Sequence, residues 1–213
     1  MKDNREYRNM TIRAQEDEAK VVTGYASTFD EPYMLYDGDG WQLWEVVDRS
    51  AFDNTDMSDV IMQYDHRGRV FARNKNNTLE VKADDKGLFI RADLGGTEIG
   101  RELYEEIRGG YTDKMSFGFT VNGEFEEREK TGEGVSIYTR HITSVAKLYD
   151  VSAVSIPAND GTSIAADATT RSIRDLTDGV IERIQAERLA EEETELERLR
   201  VETKARAVLG GKS

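Results

Sequence analysis

The stretch Lys114-Met115-Ser116-Phe117-Gly118-Phe119-Thr120-Val121 decides how the chain is read. Met115, Phe117, Phe119 and Val121 alternate with Ser116, Gly118 and Thr120. A period of two predicts a half-buried strand whose apolar set faces a core. Ser116 then lies on the face away from the main apolar layer. Gly118 follows on that face and has no side chain to crowd an approaching backbone. A serine so placed is either an ordinary residue of an exposed strand face or a nucleophile on a rigid platform.

The segments before this strand supply its neighbours. Thr97 can cap a helix in which Ile99, Leu103 and Ile107 recur on one face until Gly109-Gly110 stops it. Ahead of it, Leu79 to Ala83 and Leu88 to Leu94 alternate as a β-hairpin around Asp84-Asp85-Lys86-Gly87. Val60 to His66 reads as a strand that Arg67-Gly68-Arg69 breaks, with extended structure resuming from Val70 to Arg73. Val21 to Phe29 and Trp41 to Val47 are also expected strands. A turn at Asp37-Gly38-Asp39-Gly40 lies between them; it lacks the spacing and terminal glutamate of an EF-hand calcium loop. Asp48 to Asp53 reads as a short helical turn presenting Ala51 and Phe52 to the core.

Beyond the serine strand, residues 122–134 are charged and glycine-bearing and read as an exposed loop. Val135–Val145 and Lys147–Ile156 are expected to be two closing strands. About seven strands and one internal helix, without a βα rhythm, predict a mainly β (α+β) fold. The expected form is an antiparallel, partly closed β-barrel with one or two packed helices, plus a charged C-terminal helix. The divisions are a flexible arm over 1–19 with one short strand near Met10–Arg13, a barrel domain over 20–160, a linker over 161–172 and a helical tail over 173–213. In that tail Ile173, Leu176, Val180 and Ile184 form a stripe that Leu189, Leu196 and Leu199 continue loosely, among many charges. Such a helix suits solvent, a coiled-coil partner or ordering on association.

Composition removes several classes of function. The 213 residues contain no cysteine, which excludes disulfides, thiolate metal sites and a cysteine nucleophile. With two histidines and no HExxH-like spacing, no metal or cofactor is expected. A formal net charge of −13 without a basic stripe argues against nucleic acid as a partner. No apolar run approaches the roughly 20 residues needed to span a bilayer. The first residues lack the apolar core of a signal peptide, so an intracellular protein without membrane contact is expected.

A serine hydroxyl needs an adjacent base to act as a nucleophile, and histidine can take its proton and pass it to a leaving amine. His66 stands where a strand meets a loop, a place from which scaffold-held groups can reach substrate. It can equally be a loop histidine bonded to a neighbour. Asp150 lies inside the strand Leu148-Tyr149-Asp150-Val151-Ser152-Ala153-Val154, where a carboxylate needs a partner or faces water. Spacing alone leaves it open whether His66, Ser116 and Asp150 meet.

Residues from about 20 to 160 resemble the prohead (capsid maturation) protease family of tailed bacteriophages, itself similar to herpesvirus maturation proteases. The resemblance rests on an ordered set: Gly24-Tyr25-Ala26-Ser27-Thr28-Phe29; Glu45-Val46-Val47 leading to Ala51-Phe52; Tyr64-Asp65-His66 with Gly68-Arg69; Leu88 to Ile107; Met115-Ser116-Phe117-Gly118-Phe119; and Leu148-Tyr149-Asp150-Val151-Ser152 running to Pro157-Ala158-Asn159. It implies His66 as general base and Ser116 as nucleophile. Asp150 occupies a position where the family usually carries glutamate, and its shorter side chain requires a closer backbone approach to His66. His141 is the competing third member, since the herpesvirus enzymes use a second histidine.

The implied function is a serine endopeptidase acting inside the immature prohead in the host cytoplasm. Its partners would be the major capsid protein precursor with its scaffolding segment, with the portal and further copies of itself as additional contacts. Self-cleavage is expected within 162–172. The rival reading is a catalytically inactive capsid assembly scaffold or chaperone with a protease-like fold. A buried Ser116, or one whose Oγ lies far beyond hydrogen-bond reach of His66 with no loop able to move, would favour that rival.

Overall fold

The computed structural model describes residues 5–14, 19–38, 40–154 and 168–210. The chain divides into two compact units, Met1–Ile173 and Arg174–Ser213. In the first, strands β1 (Glu6–Ala14), β2 (Val21–Thr28), β3 (Tyr33–Gly38), β4 (Trp41–Val47), β5 (Ile61–Tyr64), β6 (Arg67–Arg73), β7 (Leu79–Ala83) and β8 (Gly87–Asp93) precede helix α1 (Glu98–Arg108). Strands β9 (Lys114–Lys130) and β10 (Ser136–Val154) follow. The second unit is helix α2 (Ala168–Gly210) from Arg174 onward, of which Leu189, Leu196, Leu199 and Val201 are exposed. Among the described residues no helix is long and apolar enough to cross a membrane.

The mainly β character with two helices holds, but the barrel does not. The ten strands form one sheet in the order β3-β4-β10-β9-β1-β2-β8-β7, with β5 added on β10 and β6 on β5. Closure would require the terminal strands β3 and β7 to pair, and they do not. Nor is the sheet purely antiparallel, because β4 and β5 both run parallel to β10. The nineteen residues of β10 make this arrangement, taking β9 along one edge and β4 then β5 in succession along the other.

That length also merges the two expected closing strands. Register shifts at Ile142/Ser144, Ser144/Val145 and Val145/Lys147 mark the joint, a bulged bend rather than a break. The expected loop over 122–134 is largely strand, because β9 continues to Lys130. Cross-strand pairs hold this exposed ribbon. Phe125 stacks on His141 with ring centroids 4.5 Å apart, and the Arg128 guanidinium lies 4.7 Å over the Tyr138 ring. Charged residues of alternating sign disguised the strand as a loop.

The N-terminal segment is likewise more than an arm with a short strand at Met10–Arg13. β1 lies between β9 and β2 in the sheet. Its polar sequence is accommodated by a buried ion cluster. Arg8 donates from Nε and Nη2 to Glu45 at 2.5 and 2.6 Å, and from Nη2 to Glu6 at 2.8 Å. Arg140 on β10 reaches Glu45 at 2.9 Å and Glu6 at 2.5 Å, and also binds Glu124; the Tyr33 hydroxyl donates to Glu45. Burial alone would raise the Glu6 carboxyl, but the Arg140 and Arg8 guanidiniums outweigh it and hold it below its ordinary value. Burial, followed by the Glu45 charge, pushes the Tyr33 phenol well above its usual range.

The apolar set of the serine strand packs as its period requires. Met115, Phe117 and Phe119 are buried, with Phe117 stacked on Phe119 and tilted against Phe52 from the turn after β4. The expected helix after Gly95-Gly96 is α1, capped by the Thr97 hydroxyl, which accepts from the Gly100 N–H at 3.1 Å. A Cβ on Gly100 would stand 2.3 Å from the Leu94 carbonyl oxygen, so only glycine lets the helix start this close to the end of β8.

Candidate active site

β5 and β6 form a two-residue hairpin in which Tyr64 pairs with Arg67 and Asp65-His66 make the turn. Both turn residues have positive φ, 48° and 57°, as a type I′ turn demands. Holding non-glycine residues there costs on the order of 1 kcal/mol each, and such outliers concentrate at functional sites. The turn is fastened to β10, because the Asp65 N–H donates to the Ala153 carbonyl at 2.9 Å. His66 is therefore held by backbone geometry and not by its place at a strand end alone.

Asp150 sits on β10 between Ile61 of β5 and Gly118 of β9. Gly118 leaves the space opposite it clear of a side chain. His66 Nδ1 lies 2.5 Å from Asp150 Oδ1, with side chains only 3% and 5% exposed. The closer approach that an aspartate requires here is provided by direct β5–β10 pairing and the tied turn. Ser152 donates its hydroxyl to the same Asp150 oxygen at 2.7 Å. A carboxylate oxygen accepts, so the contact with Asp150 Oδ1 is made by the Nδ1-protonated tautomer of His66, in which Nε2 is the acceptor nitrogen.

Ser116 on β9 stands directly opposite Ser152 on β10, and opposite Asn9 of β1 on its other side. Opposed residues of an antiparallel pair share a face, and Asp150 shares it with Ser152 through the two-residue period. Ser116, Ser152 and Asp150 thus line one face of the sheet, the face Gly118 keeps open. That face is not exposed as expected: Ser116 and Ser152 are fully buried and Asp150 nearly so. Polar residues on a strand usually read as a wet face. Here Asp150 and Ser152 satisfy each other and His66 inside the protein, as buried polar groups must.

Sequence reasoning missed Ser152. Its signal was present in the Asp150-x-Ser152 spacing, which puts a hydroxyl on the same strand face as the carboxylate. His141 is not brought to this group. It lies nine residues before Asp150 on β10, on the other side of the bulged bend, a path of up to about 30 Å at a strand's rise per residue. Its ring stacks on Phe125, with Nδ1 3.7 Å from Asp48 and Nε2 3.4 Å from Glu127. Among the described residues no group of three His, Cys, Asp or Glu side chains could hold a metal ion.

A family profile described as caudovirus prohead serine protease matches residues 8–177. The chain belongs to the caudovirus prohead serine protease family. No curated protein and no solved structure matches it significantly. The matched span of this prohead protease begins at Arg8 in β1 and takes in all ten strands beyond that point, with His66, Ser116, Asp150 and Ser152 among them. The matched span thus includes most of β1, within the stretch expected to be a flexible arm.

Proposed function

We propose that this prohead protease cuts peptide bonds through an acyl-enzyme on Ser116, with His66 as the base and Asp150 as its orienting carboxylate. The observation that carries the reading is the 2.5 Å contact between His66 Nδ1 and Asp150 Oδ1, on a face shared with Ser116. Ser116 Oγ attacks the scissile carbonyl carbon while His66 Nε2 takes its proton. Asp150 stabilises the imidazolium, which then protonates the leaving amine. Water, deprotonated by His66, attacks the Ser116 ester, and the second product leaves with regeneration of the hydroxyl. The substrates are the scaffolding segment of the major capsid protein precursor and the protease itself, inside the immature prohead in the host cytoplasm. Contacts with the portal and with further copies belong to the same setting. The proposed self-cleavage stretch, 162–172, falls mostly outside the described residues.

A fluorophosphonate probe tests the nucleophile directly. Covalent label on Ser116, located by peptide mass spectrometry, is the expected result; a protein that takes no label there, in the presence of assembled proheads as well as alone, rejects this mechanism. The burial of Ser116 is the observation that favours the second reading, a scaffold that does no chemistry. That reading gives no account of why a strained turn should hold a histidine against Asp150.

Ser152 is a positioning residue in this mechanism. Ser152→Ala removes one of two hydrogen bonds to Asp150 Oδ1, worth about 1.5 kcal/mol for a charged acceptor. It is expected to lower kcat about tenfold with KM unchanged, and Ser152→Thr is expected to recover most of the loss. Equal changes in kcat and KM, or no rescue by threonine, would count against this role.

A further inference from the structure

A groove of about 490 Å³ opens between the β5–β6 hairpin and helix α1. Tyr64, Asp65, Arg67, Arg69 and Phe71 form one wall, and Ile99, Glu102, Leu103 and Glu106 form the other. Arg67, Arg69 and Phe71 alternate along β6 and so share a face. The helix residues recur at i, i+3, i+4 and i+7 and do the same. Tyr64, Phe71 and Ile99 supply apolar surface, with Leu103 almost wholly buried behind them, while the arginines and glutamates stand on opposite walls, with no ion pair among the described residues closing the space between them. The hairpin wall begins at the turn that carries His66.

We infer that this groove is a substrate-specificity site of the protease, taking an apolar side chain of the peptide at a fixed distance from the scissile bond; the inference rests on the proposed serine mechanism. Ligand pockets are largely preformed concavities that combine apolar surface with polar groups that fix orientation, and a volume of this size holds a large aliphatic or aromatic side chain with part of its neighbours. Both walls are rigid. The hairpin is tied at its tip by Asp65 to Ala153 and at its base by Arg73, which grips Asp59 at 2.6 and 2.5 Å. Helix α1 is fixed at its start by the Thr97 cap and the close approach of Gly100 to Leu94. A rigid groove whose hairpin wall includes Asp65 and Arg67, the residues on either side of His66, fixes where an anchored residue places the next peptide bonds. Anchoring of that kind converts remote binding into orientation at the reacting carbon. Ile99 is half-buried, so its side chain meets both the helix packing and the open groove.

The full chain is incubated with a peptide library made by digesting a bacterial lysate, and cut sites are read by mass spectrometry. Fluorophosphonate labelling of Ser116 is followed in parallel. Wild type is expected to show Leu, Ile, Met or Phe enriched at one fixed position beside the cut. Ile99→Trp, which fills the groove, is expected to lose that enrichment and to cut the preferred sites at least tenfold more slowly, with labelling of Ser116 unchanged. Ile99→Ala, which widens it, shifts the preference toward Phe and Trp and guards against misfolding of the larger variant. A wild type that labels at Ser116 but cuts nothing or cuts without the enrichment overturns the groove assignment, as do variant profiles identical to wild type. Absence of label at Ser116, with assembled proheads present as well as without them, overturns the underlying mechanism instead.

Discussion

Ser116→Ala is expected to lower kcat on the capsid precursor about a millionfold, to the residual level that binding and backbone donors alone sustain. The size follows from the chemistry. Ser152, which shares the face with Asp150, already donates to that carboxylate, and the Thr120 hydroxyl stands four residues from Ser116 along β9. Loss of the Ser116 oxygen removes the atom that forms the acyl bond, and water attacking directly would need a geometry the site is not built to give. His66→Ala is expected to cost about as much, since an unactivated hydroxyl is a poor nucleophile at neutral pH. The double variant should be no worse than either single, because groups that act as one unit do not add. Co-expression with the capsid precursor, read by intact mass and by initial rates, measures all three. Additive losses would show that the two residues act separately, and undiminished processing in Ser116→Ala would move the nucleophile elsewhere. The same assay ranks His141, where substitution is expected to leave rates within about threefold of wild type, given its separation of up to about 30 Å along the strand.

Glu45→Ala carries the largest expected effect on stability. Glu45 is fully buried and accepts from Arg8, Arg140 and the Tyr33 hydroxyl. Removing it takes both Glu45 hydrogen bonds away from Arg8, itself 1% exposed. Breaking a buried pair from one side costs about 3–5 kcal/mol because the remaining charge stays desolvated. For a domain of this size that is a fall of about 10 °C in Tm. The double variant Arg8→Met/Glu45→Leu is expected to recover most of the loss, since a buried pair replaced as a whole by apolar groups is often neutral. Arg140 then still keeps Glu6 and Glu124. Thermal unfolding of the three proteins decides it. A Glu45→Ala protein melting within about 2 °C of wild type would mean that water or rearrangement satisfies the arginines. Because β1 lies beside β9 with Asn9 opposite Ser116, Glu45→Ala is also expected to reduce activity below its melting temperature, by loosening the strand next to the nucleophile.

What the sequence determined by itself was local. The alternation of Met115, Phe117 and Phe119 made them core, and Thr97 with the glycines after α1 bounded the helix, because side-chain period and capping act within a few residues. His66, Ser116 and Asp150 could be named, and the family with them. Three things were decided only by tertiary structure. The open mixed sheet depends on β4 and β5 both choosing the same edge of β10, a pairing between distant segments with no local signature. The place of β1 and of the outer half of β9 depends on charges that meet only in the fold, such as Arg8 with Glu45 and Arg140 with Glu124. The contact of His66 with Asp150 depends on a left-handed turn tied to Ala153, and the burial of the Ser116 face depends on polar groups bonding to one another across strands. Sequence lists polar residues one at a time. Whether they face water or each other is a property of the pairs, and the fold makes the pairs.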